Sequence, residues 1–478
     1  MEVETQNPAI PQPHINLQKG WPSPRLLPSQ ALLAAAEATL SSSARATDAM
    51  LYGPNIGDPA LRRGCAEWLS RLYRLRSPPA GSEDGIVDPI SPDRICITAG
   101  ASNTLACIMA AFTDPAYTRR VWMVEPTYFL ACTVFEDAGF QDRLVGVPED
   151  EEGLDVDFLR KRIEVVESEE AALGTPYKRS PQYPRLYRHV IYLVPTFSNP
   201  SAKTYTLARR EALIRLAREV NALIITDDCY DFLSWTSEAE WREFTVTSGT
   251  SHHSCLTPPP PPRLVDVDNS LSGGDREWGN AISNGSFSKV VGPGMRCGWA
   301  EATPAFIFRL NQVGATLSGG APGQFSSVLI EHMLRTGALE RHIQHVLIPT
   351  YRSRCATLRK VTEEYLGPLG VRIDVGRSYH VKSSEGDEEI VGGFFLYILF
   401  PEGIVADEVA AVALKQYNVR LLSAGMMSVR GSKPSSDQLR RGARLCWAWE
   451  EEEQVMEGVR RIGQALKEQF LNRNGYEL

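Results

Sequence analysis

The sequence predicts an α/β fold, a mostly parallel central sheet sandwiched by helices, followed by a smaller α+β domain. Two observations carry this. Between about residues 47 and 330, short apolar runs (RICITAG, VWMVEP, HVIYLVP, ALIITDD) each end in polar or turn residues and are followed by a helical or turn-rich stretch. That alternation is the pattern of parallel strands joined by crossover helices. After residue 330 the order changes to helices (RHIQHVLIPTYRSRCATLRKVTEEYL), then FFLYILF as a strand, and an amphipathic helix around 450–471.

In chain order, residues 1 to about 29 read as an extended arm rich in Pro, with Gly20 within it, ahead of an Ala- and Leu-rich helix at 30–40. The expected domains are 1–45, an arm with part of the small domain; 46–330, the large domain; and 331–478, the small C-terminal domain. Within the large domain, 165–186 and 236–279 look like surface insertions, the second carrying a run of five prolines at 258–262. The composition, 43% hydrophobic and 23% charged, is that of an ordinary globular chain.

Charge and cysteine usage exclude several classes. A net charge of -8 argues against a nucleic-acid surface, which needs clustered cations to displace counterions. No stretch approaches the apolar length of a membrane span, and the start MEVETQNPAIPQPH is acidic and Pro-rich, so the expected location is the cytosol. The nine cysteines never form CxxC, which gives neither a disulfide framework nor a zinc site. His342 and His345 stand at i, i+3 on a helix without a third ligand, so no metal is expected.

Chemistry concentrates in SFSKVVGPGMR. Lys289 lies between Phe287 and the pair Val290 and Val291, so it reads as half buried, and a lysine whose pKa is lowered by such surroundings is a Schiff-base nucleophile. Ser286, Ser288 and Arg296 are donors of the kind that bind phosphate, and Gly292, Pro293 and Gly294 turn the chain so that Arg296 returns beside the lysine. A lysine beside a phosphate clamp points to pyridoxal phosphate.

That cofactor requires further parts. Its pyridine nitrogen needs a carboxylate at a strand end. ALIITDDCYDFL supplies Asp227, with Asp228 as its competitor and Tyr230 three residues on for the ring's phenolic oxygen. VPTFSNP offers Asn199 to the same oxygen. ITAGASNTL places the amides of Ala101 and Ser102 at a helix N-terminus, a natural phosphate site. VEPTYF presents Tyr128 to stack on the ring.

With these residues in this order, the chain resembles the fold-type-I pyridoxal-phosphate enzymes of the class I/II aminotransferase family, and within it the branch acting on 2-aminoadipate or aromatic amino acids. The resemblance runs from NLQKGWPSPRLLP and LYGPNIGDPALR to GARLCWAWEEEEQVMEGVRRI. It implies that Lys289 forms the Schiff base and is the general base, that Asp227 holds the pyridine nitrogen, and that Asn199 and Tyr230 hold the phenolic oxygen. Ser102, Ser286 and Arg296 bind phosphate, and Tyr52 reaches the phosphate of the neighbouring subunit's cofactor, which makes a homodimer with shared active sites the expected assembly. Arg444 would clamp the substrate α-carboxylate, unless it pairs with the acidic run Glu450 to Glu453. Gly20, Trp21 and Arg25 in the arm are the candidates for side-chain selection, Arg25 favouring an acidic one.

The chain departs from the family pattern at Asn199 to Ala202, where Asn-Pro-Ser-Ala replaces Asn-Pro-Thr-Gly. The expected reaction is transfer of an amino group between an L-amino acid and a 2-oxo acid. The alternative is elimination, cyclisation or carbon–carbon bond formation on the same cofactor. A reading of another class, the effector domain of a transcription regulator, is opposed by the presence of Lys289.

Overall fold

The structure, a computed structural model, describes residues 13–74, 89–169, 175–237, 244–248, 251–255, 260–383, 386–431 and 436–473. Eight strands form the main sheet: β1 (Ile95–Thr98), β2 (Arg120–Glu125), β3 (Leu144–Asp150), β4 (Gly153–Leu154), β5 (His189–Leu193), β6 (Ala222–Asp227), β7 (Ala281–Ser286) and β8 (Gly298–Glu301). Their spatial order is β1-β8-β7-β6-β5-β2-β3-β4. The run β7-β6-β5-β2-β3 is parallel; β8 is antiparallel to both its neighbours, as β4 is to β3.

The strands read as continuous apolar runs because both faces of the sheet are covered, as parallel sheets require. Alternation along each strand divides its side chains between two cores. Val121 and Met123 pack with Leu105, Ile108 and Phe112 of helix α1 (Ala101–Phe112), whereas Trp122 and Val124 pack on the opposite face with Leu213 and Ile214 of α2 (Leu207–Glu219). Since the parallel strands share a direction, β2, β5, β6 and β7 end at one edge of the sheet. β1 ends there too, being two antiparallel steps from β7. Ligands of such sheets bind outside that edge.

The smaller sheet comprises β9 (Arg372–Ile373), β10 (Phe395–Leu399), β11 (Leu422–Ser423) and β12 (Gly442–Cys446), all antiparallel, in the order β9-β10-β12-β11. The last helix, Glu452–Arg473, buries Val455, Val459, Ile462 and Leu466 along one stripe at helical spacing. Ile15–Asn16 pairs parallel with Val419–Arg420, which ties the arm to this part of the molecule before the arm crosses to the main sheet.

The two expected insertions are only partly surface loops. Leu264–Ser270 is a helix whose Leu264, Val265 and Val267 are buried against the main sheet. Arg263 just before it is buried too, 2.7 Å from Glu301 on β8. The proline run masked an apolar helical stretch that belongs to the core; part of that run, like residues 238–243, lies outside the described residues. Likewise Val166 of the first segment is buried on the helix Val156–Glu169, and the Lys178 amide donates to Asp114 at 2.7 Å.

Candidate active site

A cavity of about 410 Å³ opens between the strand-end edge of the main sheet, the smaller sheet and the arm. Every residue expected at the cofactor or substrate lines it except Tyr52 and Arg25. Tyr52 is 88% exposed, with Met50 and Leu51 exposed beside it.

One end of the cavity is built to hold an anion. Helix α1 starts at Ala101 directly after β1, with Gly100 at its N-cap in a left-handed conformation (φ 91°). That turn leaves the first amides of the helix, and the exposed Ser102, facing the cavity. Arg296 closes the other side: it donates from Nη2 to the Ala99 carbonyl at 2.8 Å, so close that a Cβ on Gly100 would come within 3.1 Å of it. The hydroxyls of Ser286 and Ser288, 2.9 Å apart, complete the cradle.

Strand β6 delivers Asp227 to the middle. Asp227 was the expected partner of the ring nitrogen with Asp228 as its competitor, and the fold separates them. The Asp228 Oδ2 accepts from Thr226 at 2.7 Å and Ser283 at 2.5 Å, which engages it within the sheet. Asp227 lines the cavity, and its Oδ1 has no hydrogen-bond partner among the described residues. Burial, reinforced by Asp228, pushes its carboxyl up to about 6. A buried acid with one oxygen lacking a donor is suited to a protonated nitrogen that would hold it ionised. Tyr230 is buried edge-on to Phe394 and Phe395, and Tyr128 sits at the cavity wall.

The lysine faces all of this. Its Nζ donates to the Gly20 carbonyl at 2.7 Å and lies 5.6 Å from the Tyr230 ring centroid. Burial lowers its pKa from the ordinary lysine value, which favours the nucleophilic free amine.

At the far end Arg444, buried on β12, donates from Nη1 to Asn199 Oδ1 at 2.6 Å and from Nη2 to the Gln18 carbonyl, with its guanidinium 4.0 Å from the Phe395 ring centroid. It does not pair with the acidic run. Glu450 accepts from the Asn16 amide, Glu451 from Arg354, and Glu452 from Ser353 and Thr357. The asparagine stays in place although Ser201 and Ala202 replace the usual Thr-Gly.

The chain matches the family described as aminotransferase class I and II over residues 15–462. It belongs to that family. Among its relatives, an uncharacterized protein of Saccharomyces cerevisiae is 32% identical, over 96% of this chain and 98% of the yeast one. The aromatic-amino-acid aminotransferase 1 of Thermococcus litoralis is 26% identical, over 95% and 88%. A solved structure of the α-aminoadipate aminotransferase of Thermus thermophilus, complexed with N-(5′-phosphopyridoxyl)-L-leucine, superposes with a TM-score of 0.68 at 23% identity, covering 96% of this chain and 93% of that one. The fold is therefore that of the fold-type-I aminotransferases, and the reaction of this aminotransferase is pyridoxal-phosphate-dependent transamination rather than elimination or cyclisation. The site fits that cofactor: an anion cradle, an acid short of a donor and a lysine with lowered pKa share one cavity.

Several lining residues of this aminotransferase escaped the sequence reading. Lys19 sits 3.5 Å from the Trp449 ring centroid and 4.3 Å from that of Trp21, and Arg420 lines the cavity with no partner among the described residues. Arg25, the cation expected to select the side chain, points away instead, 80% exposed and 4.0 Å from Glu451. Tyr192 lies under the ring acid, its hydroxyl 3.5 Å from Asp227 Oδ2. Its position in HVIYL, alternating with inward apolar residues, was the available signal. Among the described residues no cluster of metal-ligating side chains occurs, and no helix is long and apolar enough to cross a membrane.

Proposed function

We propose that this aminotransferase moves the amino group of a large L-amino acid, acidic or aromatic, to a 2-oxo acid in cytosolic amino acid biosynthesis, as a homodimer. One observation carries the reading: the Lys289 amine, the unpaired Asp227 oxygen and the Arg444 guanidinium line a single cavity.

The residues divide the work by position. Arg444, planar and always charged, binds the substrate α-carboxylate in a bidentate pair and, with Asn199, fixes the Cα next to Lys289. Lys289 as the free amine takes the proton from Cα of the amino donor and, in the second half-reaction, gives one to the carbon that becomes Cα of the new amino acid. Asp227 keeps a proton on the ring nitrogen, and Ser102, Ser286 and Arg296 hold the phosphate. When bound, pyridoxal phosphate supplies the electron sink that makes the Cα proton acidic.

Lys19 and Arg420 at the cavity mouth favour an acidic side chain, and the rings of Tyr128 and Phe129 favour an aromatic one. The names of relatives, aromatic-amino-acid aminotransferase and 2-aminoadipate transaminase, agree with both. The exposed Met50, Leu51 and Tyr52 form an apolar face that a second copy would cover, giving Tyr52 access to the neighbouring phosphate. Free thiols at eight cysteines, among them Cys65, Cys229 and Cys446, favour a reducing compartment.

Given an amino donor without an oxo acid, the holoenzyme should load one amino group per active site and then stop, as read by mass spectrometry of the released cofactor. Continued turnover under those conditions would refute transamination. A panel of donors scored against 2-oxoglutarate identifies the side chain.

A further inference from the structure

We propose that Lys203, held between Glu149 and Asp374, is a positioning residue: a buried strut between the two sheets that sets Arg444 against Asn199. The proposal rests on the carboxylate-binding role given above to those two residues.

Lys203 and Glu149 expose only 4% of their side chains each. The Lys203 Nζ lies 3.2 Å from Glu149 Oε1, on β3 of the main sheet, and 3.5 Å from Asp374 Oδ2, just past β9 of the smaller one. Ser201 donates to the other Glu149 oxygen, Oε2, at 3.1 Å, and Gln438 donates to the same Asp374 Oδ2 at 3.3 Å. Burying a cation and a carboxylate is costly, and apolar side chains of similar volume would pack the same space with less desolvation. What the charges add is a fixed geometry.

That geometry leads to the substrate site from both sides. In the main sheet's loop, the Ser198 amide donates to the Lys203 carbonyl at 2.9 Å and the Ala202 amide to the Ser198 carbonyl at 2.8 Å. Asn199 is carried inside this closed turn. In the smaller sheet, the Asp374 amide donates to the Tyr397 carbonyl at 2.9 Å, and Tyr397 stands opposite Arg444 in the β10–β12 ladder. Arg444 on β12, Tyr397 on β10 and Asp374 just past β9 thus form one row. The turn 198–203 is clasped twice by that row, Asn199 by Arg444 at 2.6 Å and Lys203 by Asp374. The same seam continues where the Arg377 amide donates to the Glu151 carbonyl at 2.7 Å. Ser201, Ala202 and Lys203 are the residues that follow Asn-Pro here, so the departure from the usual Thr-Gly coincides with the strut that holds the turn.

The test uses holoenzyme with Lys203→Met. Two unreactive carboxylates, 3-phenylpropionate and adipate, are titrated by the change in cofactor absorbance, and KM and kcat are measured with the best donor of the panel. Dissociation constants and KM should rise about tenfold or more while kcat changes by less than about threefold, and Lys203→Arg should recover most of the loss. Combined with Arg444→Lys, the losses should be less than multiplicative, because both substitutions loosen one clasp. Unchanged carboxylate affinity in Lys203→Met, or multiplicative losses in the double variant, would overturn the proposal. Should Lys203→Met fail to fold, Asp374→Asn preserves shape and carries the same readouts. If the wild type binds carboxylates but does not transaminate, the functional reading fails and the strut is still judged by the titrations.

Discussion

Lys289 Nζ and the Gly20 carbonyl oxygen are 2.7 Å apart, joined across 269 residues of chain. The hydrogen bond brings the arm over the cavity and points the amine inward, so the residue that performs the chemistry also anchors the segment that covers it. Replacing Lys289 by Ala should abolish transamination, by roughly three or more orders of magnitude, the combined loss of nucleophile and base. It should also abolish the visible absorption of the lysine-bound cofactor, while pyridoxal phosphate remains bound non-covalently in equilibrium dialysis.

Gly20 is constrained by contact. A Cβ there would lie 2.8 Å from the Phe395 ring, the ring on which Arg444 rests. Gly20→Ala should displace the arm and lower kcat/KM about tenfold, equivalent to about 1.4 kcal/mol of binding, with little change in thermal midpoint. An unchanged kcat/KM would show that the arm does not define the site.

Asp227 predicts a pH dependence of the cofactor-free protein. Its folded pKa, raised from 3.8 to about 6, means that the folded state binds the proton more tightly than the unfolded one. The stability it contributes is fully present below about pH 4 and is lost as pH rises through about 6, in all about 3 kcal/mol. Chemical denaturation of apoprotein across that window should show the decline, and Asp227→Asn should remove it. The same variant with cofactor bound should keep the cofactor but lose most of its activity.

Arg444→Lys keeps the charge and loses the planar two-point donor. The expected cost is about 2–3 kcal/mol in kcat/KM, roughly 30- to 150-fold, carried mainly by KM. Arg25→Ala, by contrast, should leave kinetics unchanged, since that side chain is solvent-exposed beside Glu451.

Much of the site was legible because it is local. A strand, its terminal polar residue and the following turn are contiguous in ITAGASN, VEPTYF, VPTFSNP, IITDDCY and SFSKVV, and parallel strands bring such ends to one edge without further instruction. Alternation along a strand also implies that Asp227 and Asp228 diverge. It does not say which one meets the ligand.

The sequence by itself determined the α/β class and the order of the strand-end motifs, which follow from neighbours within a few residues, and its resemblance to the family singled out Lys289, Asp227, Asn199 and Arg444. Only the tertiary structure decided that Thr226 and Ser283 hold Asp228 away from the ligand role, that the helix after the proline run is core, that the arm's carbonyls meet Lys289 and Arg444, and that Lys203 spans from Glu149 to Asp374. Apart from Thr226, two residues from Asp228, those contacts join residues from about fifty to more than four hundred positions apart. Their partners are selected by the packing of whole elements, and no periodicity or spacing along the chain records it.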